Sequence, residues 1–171
     1  MSITPIPVAI IGPGNIGTDL LFKANRSPWL APRGSIGVVQ GSQGLAIARE
    51  KGLRTSHDGL EPVIDELAKD GVRIAFDATS AKHHAGHNEL LQSRGIQVID
   101  LTPASIGPYC VPPVNLKEHL DAPNLNMVSC GAQATIPMVA AVSRVQPVAY
   151  GEIVATVASK SIGPGTRQNI D

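Results

Sequence analysis

The sequence predicts an α/β fold, a parallel sheet wrapped by helices on both faces. Three observations carry that prediction. Short apolar runs alternate with helical stretches along most of the chain, a Gly-x-Gly-x-x-Gly turn joins the first such pair, and the apolar content is aliphatic, with only 3% aromatic residues. Alternation of this kind argues for βαβ units. Right-handed crossovers make the doubly wound arrangement the default, and aliphatic strands suit a sheet buried on both faces.

The elements follow in order. Residues 6–11 form a nearly continuous apolar run, the pattern of a buried central strand, and feed the glycine turn. Residues 18–24 have helical composition until Pro28, which disfavours helical geometry at Ser27. Residues 35–39 read as a second strand and 45–51 as a helix closed by Gly52. Leu60, Val63, Ile64 and Leu67 recur at helical spacing over 60–69, Gly71 ends that helix, and 72–77 return as a strand. The alternation continues with a helix over 80–94, strands over 96–101 and 125–129, a helix over 133–145 and a longer β-branched strand over 148–158. Four prolines make 102–113 a stiffened loop, and 160–171 is a polar Gly-Pro-Gly segment.

Composition narrows the function classes. The 171 residues carry 14 basic and 14 acidic side chains, so no charge excess favours nucleic acid or an anionic membrane. Scarce aromatics also remove the stacking platforms of single-strand binders. The longest apolar runs are far too short to span a bilayer. The N-terminus shows no secretory pattern, so Cys110 and Cys130 read as thiols of a reducing compartment and the protein as cytoplasmic.

Gly12-x-Gly14-x-x-Gly17 follows a predicted strand and opens a predicted helix, the context the Rossmann dinucleotide fingerprint requires. The first glycine permits the turn, the second admits a pyrophosphate, and the third allows close helix–strand packing. Plain packing is the alternative reading of the same glycines. The acidic residue that commonly binds the adenosine ribose after the second strand is missing from residues 38–42, which leaves Gln40 or Ser42 as weaker partners. No arginine stands there for a 2′-phosphate, so NAD is favoured over NADP.

Cys130 sits where an apolar strand meets a helix, and a helix N-terminus favours a thiolate over a thiol. The open readings are a nucleophile at the carboxyl end of a strand and a buried structural cysteine. Cys110, in the proline-rich loop, reads as structural. His83, His84 and His87 share a predicted helix but lack the glutamate of a metalloprotease motif, so a solvated helix face is the expectation and no metal is expected.

Several strings resemble one family, the acylating acetaldehyde dehydrogenases of aromatic meta-cleavage pathways: AIIGPGNIGTD at 9–19, FDATS at 76–80, DLTPA at 100–104, IGPYCVP at 106–112, NMVSC at 126–130, QATIPMVAA at 133–141 and SIGPGTR at 161–167. The resemblance implies a Rossmann-type NAD-binding domain over 1–129 and, over 130–171, the beginning of an α/β catalytic and dimerisation domain cut short relative to the family. It puts the acyl-thioester cysteine on Cys130 and the phosphate-binding turn on Gly12, Pro13, Gly14 and Asn15. A second cofactor segment falls on Ser161, Ile162, Gly163, Pro164 and Gly165, continuing through Thr166, Arg167, Gln168 and Asn169.

The implied reaction is NAD-dependent oxidation of acetaldehyde to acetyl-CoA through a cysteine thioester, with coenzyme A as co-substrate. A 4-hydroxy-2-oxovalerate aldolase is the implied partner, and a homodimer the implied assembly. The pattern departs at Val39, where the family carries an aspartate for the ribose. Family chains also run well past Asp171, through the residues that supply the general base, so little turnover is expected of these 171 residues. A catalytically silent NAD-binding module is the competing expectation. Another is a semialdehyde dehydrogenase-like enzyme using phosphate, which would need Arg144 or Arg167 near the thiol.

Overall fold

The most apolar run becomes the centre of the sheet. In the computed structural model, which describes residues 4–154 and 156, β1 (Ile6–Ile11) pairs with β2 (Leu30–Ile36) on one side and β4 (Ile74–Asp77) on the other. Adding β3 (Arg54–Ser56), β5 (Gln97–Asp100) and β6 (Asn124–Asn126) gives one parallel sheet in the order β3-β2-β1-β4-β5-β6. This is the order of a doubly wound dinucleotide-binding sheet, whose switch point lies between β1 and β4. The predicted Rossmann-type fold is therefore the one the chain adopts.

Burial follows the two-residue period of a strand. Ala9 and Ile11 pack on one face with Leu67, Leu91 and Val98, whereas Ile10 packs on the other with Leu21 and Ala48. The first face is covered by α3 (Ile64–Lys69, entered through a 3-10 turn at Glu61–Val63) and α4 (Ala81–Gln92). The second is covered by α1 (Asn15–Arg26) and α2 (Gln43–Glu50). Each large aliphatic chain so buried is worth about 1.5–3 kcal/mol. A short α5 (Pro112–Asn115), a 3-10 turn at Leu116–Glu118 and α6 (Cys130–Ser143) complete the described elements, and α6 contributes no buried residue.

Three expectations from the sequence need correction, and one strand carries no sequence signal. The second strand lies at Leu30–Ile36, not 35–39. Pro32 and Gly34 mask it in the sequence, yet Pro32 is tolerated because β3 pairs only with Gly34–Ile36, leaving the proline's other side without a ladder. Val38 and Val39 instead stand exposed beyond the strand end. β3 has no apolar signal and exists through its pairing with β2. The strand expected at 125–129 is only Asn124–Asn126, because a positive φ at Val128 turns the chain toward α6. The strand expected over 148–158 is not formed at 148–154 or 156, for among the described residues no ladder partner lies beside it. The remainder of that expected strand lies outside the described residues.

The proline-rich loop is irregular up to Val111, as its composition predicts, but its far end is structured. Asn126 donates to the Pro108 carbonyl (3.0 Å) and accepts from Cys110 N–H (2.7 Å), so residues 108–110 run along the outer edge of β6. Among the described residues no helix is long and apolar enough to cross a membrane.

Candidate active site

Parallel strands bring all six carboxyl ends to one edge, where two candidate features lie. The first is the glycine turn. Gly12 has φ +90°, and a Cβ there would stand 2.6 Å from the Ala78 carbonyl oxygen, so both the backbone angle and the approach of β4 demand glycine. A Cβ on Gly17 would strike the Gly12 carbonyl, which explains the third glycine by helix–strand packing. Gly14 is different. It has φ −79°, which any residue adopts, and a Cβ there would meet nothing within 4 Å. The fold supplies no reason for a glycine at this position, and the space beside it is open.

That space belongs to a cleft of about 330 Å³, lined by Gly12, Pro13, Gly14, Val38, Val39 and Thr79 among others. His83 and His87 reach it from α4. Gly14 is also the N-cap of α1 and offers no side-chain acceptor, so the first peptide N–H groups of that helix are uncapped at the cleft. Together they form a cradle for a phosphate-sized anion at a helix N-terminus. No carboxylate lines the cleft beyond the end of β2, and Val39 is 61% exposed there. Asn15 begins α1, exposed, and is outside the residues lining the cleft.

The second feature is a ladder of side chains across the ends of β4, β5 and β6. Asp77, Asp100 and Asn126 are register partners, so their side chains fall in line on one face. Each closes the same turn, with Oδ1 accepting from the backbone N–H two residues on: Thr79 at 3.0 Å, Thr102 at 2.7 Å and Val128 at 2.7 Å. His84 of α4, fully buried, joins the first two rungs, its Nδ1 2.9 Å from Asp77 Oδ2 and its Nε2 3.3 Å from Asp100 Oδ2. Asn126 Nδ2 donates to Asp100 Oδ2 at 3.3 Å. His87 Nδ1 lies 2.9 Å from Asp77 Oδ2, which ties the ladder to the cleft wall.

Burial pushes the Asp77 carboxyl up, but hydrogen bonds from His84, His87 and Thr79 outweigh it and hold the group well below the usual carboxylate range. Burial wins at Asp100, whose carboxyl is raised despite the Thr102 contacts. The expected solvated histidine face is thus corrected for His84, which the two buried aspartates draw inward. Sequence reasoning missed this ladder. Its signal was present as Asp-x-Thr at the end of two successive strands, in 77–79 and 100–102.

Cys130 is the first residue of α6 and is exposed. Ser129 caps the helix, its Oγ accepting from Ala132 N–H at 3.1 Å. Gln133 donates to the Met127 and Cys110 carbonyls (2.8 and 2.7 Å) and clamps the first turn to the loop. Cys110 is buried, and desolvation pushes its thiol up. Cys130 does not line the cleft, but it follows β6 on the same edge, three strand spacings, or roughly 14 Å, from β1. Arg144 caps the opposite end of α6, about 20 Å along the helix axis from the thiol. Arg167, together with all of Ser161 to Asn169, lies outside the described residues.

An open doubly wound sheet with a glycine turn at its switch point places the chain in the Rossmann class of α/β folds. Among solved structures it is similar to RSP in complex with β-NADH, with TM-score 0.56 and 17% identity over 83% of this chain and 61% of that one. It is also similar to GenD2 from gentamicin A biosynthesis in complex with NAD, with TM-score 0.52 and 22% identity over 60% of this chain and 28% of that one. The model of a family described as "Prokaryotic acetaldehyde dehydrogenase, dimerisation" matches residues 130–171. Acetaldehyde dehydrogenase 2 of Cupriavidus necator is 64% identical over 97% of this chain, which spans 56% of that protein. The chain belongs to the acetaldehyde dehydrogenase family and corresponds to the N-terminal part of its curated relatives, spanning about half their length.

Proposed function

We propose that this chain is the cofactor-binding and nucleophile-bearing part of an acylating acetaldehyde dehydrogenase, with NAD held in the cleft and Cys130 as the attacking thiol. The observation that carries the reading is Gly14: it is the fingerprint glycine without a structural reason, and it borders open space at an uncapped helix N-terminus. A pyrophosphate there would accept hydrogen bonds from the first N–H groups of α1. Gly12, Pro13 and Gly14 shape the cradle, with Asn15 beside it and Ser161–Asn169 proposed to close on the other half of the dinucleotide. The relatives' names and the family division at residue 130 support a cofactor domain over 1–129 and a catalytic and dimerisation part from 130.

When bound, NAD supplies the hydride acceptor. The chain's own part begins with Cys130, whose sulfur bonds to the carbonyl carbon of acetaldehyde to give a thiohemiacetal. The exposed N-terminus of α6 presents peptide N–H groups toward the charge that develops on oxygen. Loss of hydride from carbon and of the hydroxyl proton to a base leaves an acetyl thioester on Cys130. The thiol of coenzyme A then displaces the Cys130 sulfur and leaves as acetyl-CoA. Exposed apolar residues on α6, including Met138 and Val142, are proposed to meet a second copy of the chain in a homodimer. A 4-hydroxy-2-oxovalerate aldolase remains the proposed source of acetaldehyde in meta-cleavage metabolism, with a cytoplasmic setting.

The thioester step can be tested alone by running it backwards. Incubated with acetyl-CoA, the protein should acquire one acetyl group on Cys130 with release of free coenzyme A, as read by peptide mass spectrometry. A Cys130→Ala variant should remain unmodified. Acetylation at Cys110, or none at either thiol, would overturn the assignment.

A further inference from the structure

The three ladder turns share one hydrogen bond but differ in one backbone angle. Thr79 and Thr102, at the first two, keep negative φ. Val128, at the third, has φ +59°, a region that β-branched residues rarely enter. Strain of this kind persists only where the surroundings over-determine it. Here they do. Asn126 is buried and anchored by backbone hydrogen bonds to Pro108 and Cys110 and by its Nδ2 on Asp100 Oδ2. Its Oδ1 is therefore a fixed acceptor for Val128 N–H at 2.7 Å. Met127 is held on both sides, its N–H by the Asp100 carbonyl (2.8 Å) and its own carbonyl by Gln133 (2.8 Å). Two residues after the strained angle comes Cys130.

We propose that Asn126 is a positioning residue for the Cys130 thiol, holding Val128 left-handed so that Ser129 caps α6 and the thiol stands at the helix's first position; this rests on the reading of Cys130 as the nucleophile. Asp100 acts one step further back, by fixing the Asn126 amide. Without the acceptor at Asn126, Val128 relaxes to negative φ and the chain enters α6 in another direction. Cys130 is already exposed, so the change gains it no access and removes it from the N–H groups of the first turn.

The test is the rate of Cys130 alkylation by iodoacetamide at fixed pH, read by peptide mass spectrometry with buried Cys110 as the internal reference. Asn126→Ala should slow Cys130 by about fivefold, the weight of one well-made hydrogen bond. Adding Val128→Gly should restore the rate to within about twofold, because glycine adopts the left-handed angle without help. Val128→Gly alone should leave it nearly unchanged. A merely structural role for Asn126 would not be rescued at residue 128, so a slow double variant overturns the proposal, as does an unchanged Asn126→Ala.

Hydrogen exchange on the unaltered protein covers the case in which Asn126→Ala fails to fold. The amides of Val128 and Ala132 should exchange slowly, and exchange at the rate of an unstructured peptide overturns the proposal. That readout does not depend on the thiol's chemistry. An unreactive Cys130 with protected amides would therefore refute the nucleophile, while a reactive Cys130 with unprotected amides would refute the positioning.

Discussion

Two helices begin at the carboxyl edge of the same sheet and solve the problem of their unpaired N–H groups in opposite ways. α1 has Gly14 at its N-cap, no side-chain acceptor and an open cleft before it, while its body is locked into the core by Gly17, Leu21 and Ala24. α6 has Ser129, whose hydroxyl satisfies Ala132 N–H, and its body buries no residue. The first is a rigid helix whose terminus no side chain caps, suited to receive an anion from outside. The second satisfies its Ala132 N–H with its own serine and carries the reacting side chain at its first position, beside the N–H groups of that first turn. Rigidity is supplied to α1 by packing along its length, but to the start of α6 by the hydrogen bonds of Asn126 and Gln133.

The sharpest break of this comparison is made within the glycine turn. Gly12→Val should unfold or severely destabilise the protein, by about 4 kcal/mol or more, since a valine at positive φ would also collide with Ala78. Gly14→Val should cost no more than about 1 kcal/mol in urea denaturation, the ordinary loss at an N-cap. The same variant should abolish NAD binding in calorimetry. Unaltered NAD affinity in Gly14→Val would remove the cleft from consideration as the cofactor site.

How much of this was legible beforehand depends on whether the signal is local. The β1–turn–α1 unit was readable because an apolar run, three glycines and a helix follow one another in the chain. The start of α6 was placed near Cys130 for the same reason. β3 was not readable, because Arg54, Thr55 and Ser56 become a strand only through β2. The ladder was not readable either. Asp77, Asp100 and Asn126 are dozens of residues apart and meet through strand register, and His84 looked like a surface histidine until two carboxylates from different strands enclosed it. Of the candidate site, the cleft glycines and the thiol were visible in sequence, whereas the scaffold that orients the thiol was not.

The ladder supplies an intermediate effect with a defined sign. Asp77 has its carboxyl depressed in the folded state, so it contributes stability that is present above its unfolded value, near pH 4, and is lost as the pH falls toward the folded one. Denaturant melts between pH 5 and 2 should lose of the order of 2 kcal/mol from this group. Asp77→Asn should flatten that limb. Asp100 has the opposite sign: its carboxyl is raised, so its charged form costs stability that protonation relieves as the pH falls. Asp100→Asn should therefore steepen the acid limb. Both variants behaving alike would show that the two rungs do not differ as their surroundings require.

The smallest expected effect sharpens the comparison from the side of α6. Removing the hydroxyl in Ser129→Ala takes away the acceptor of Ala132 N–H and should cost about 1 kcal/mol of helix stability, the usual weight of an N-cap. Because α6 buries no residue, that loss stays local. The global urea midpoint should move little, while the amides of residues 131–133 exchange faster. Gln133 still tethers the first turn through the Met127 and Cys110 carbonyls, so the helix start loosens without leaving its place. Cys130 alkylation should accordingly change by less than about threefold, below the effect expected for Asn126→Ala. A larger loss in Ser129→Ala would mean that the cap, and not the Asn126 bond to Val128, holds the thiol in place. A global loss of stability would show that α6 is bound to the core more tightly than a helix without a fully buried residue allows.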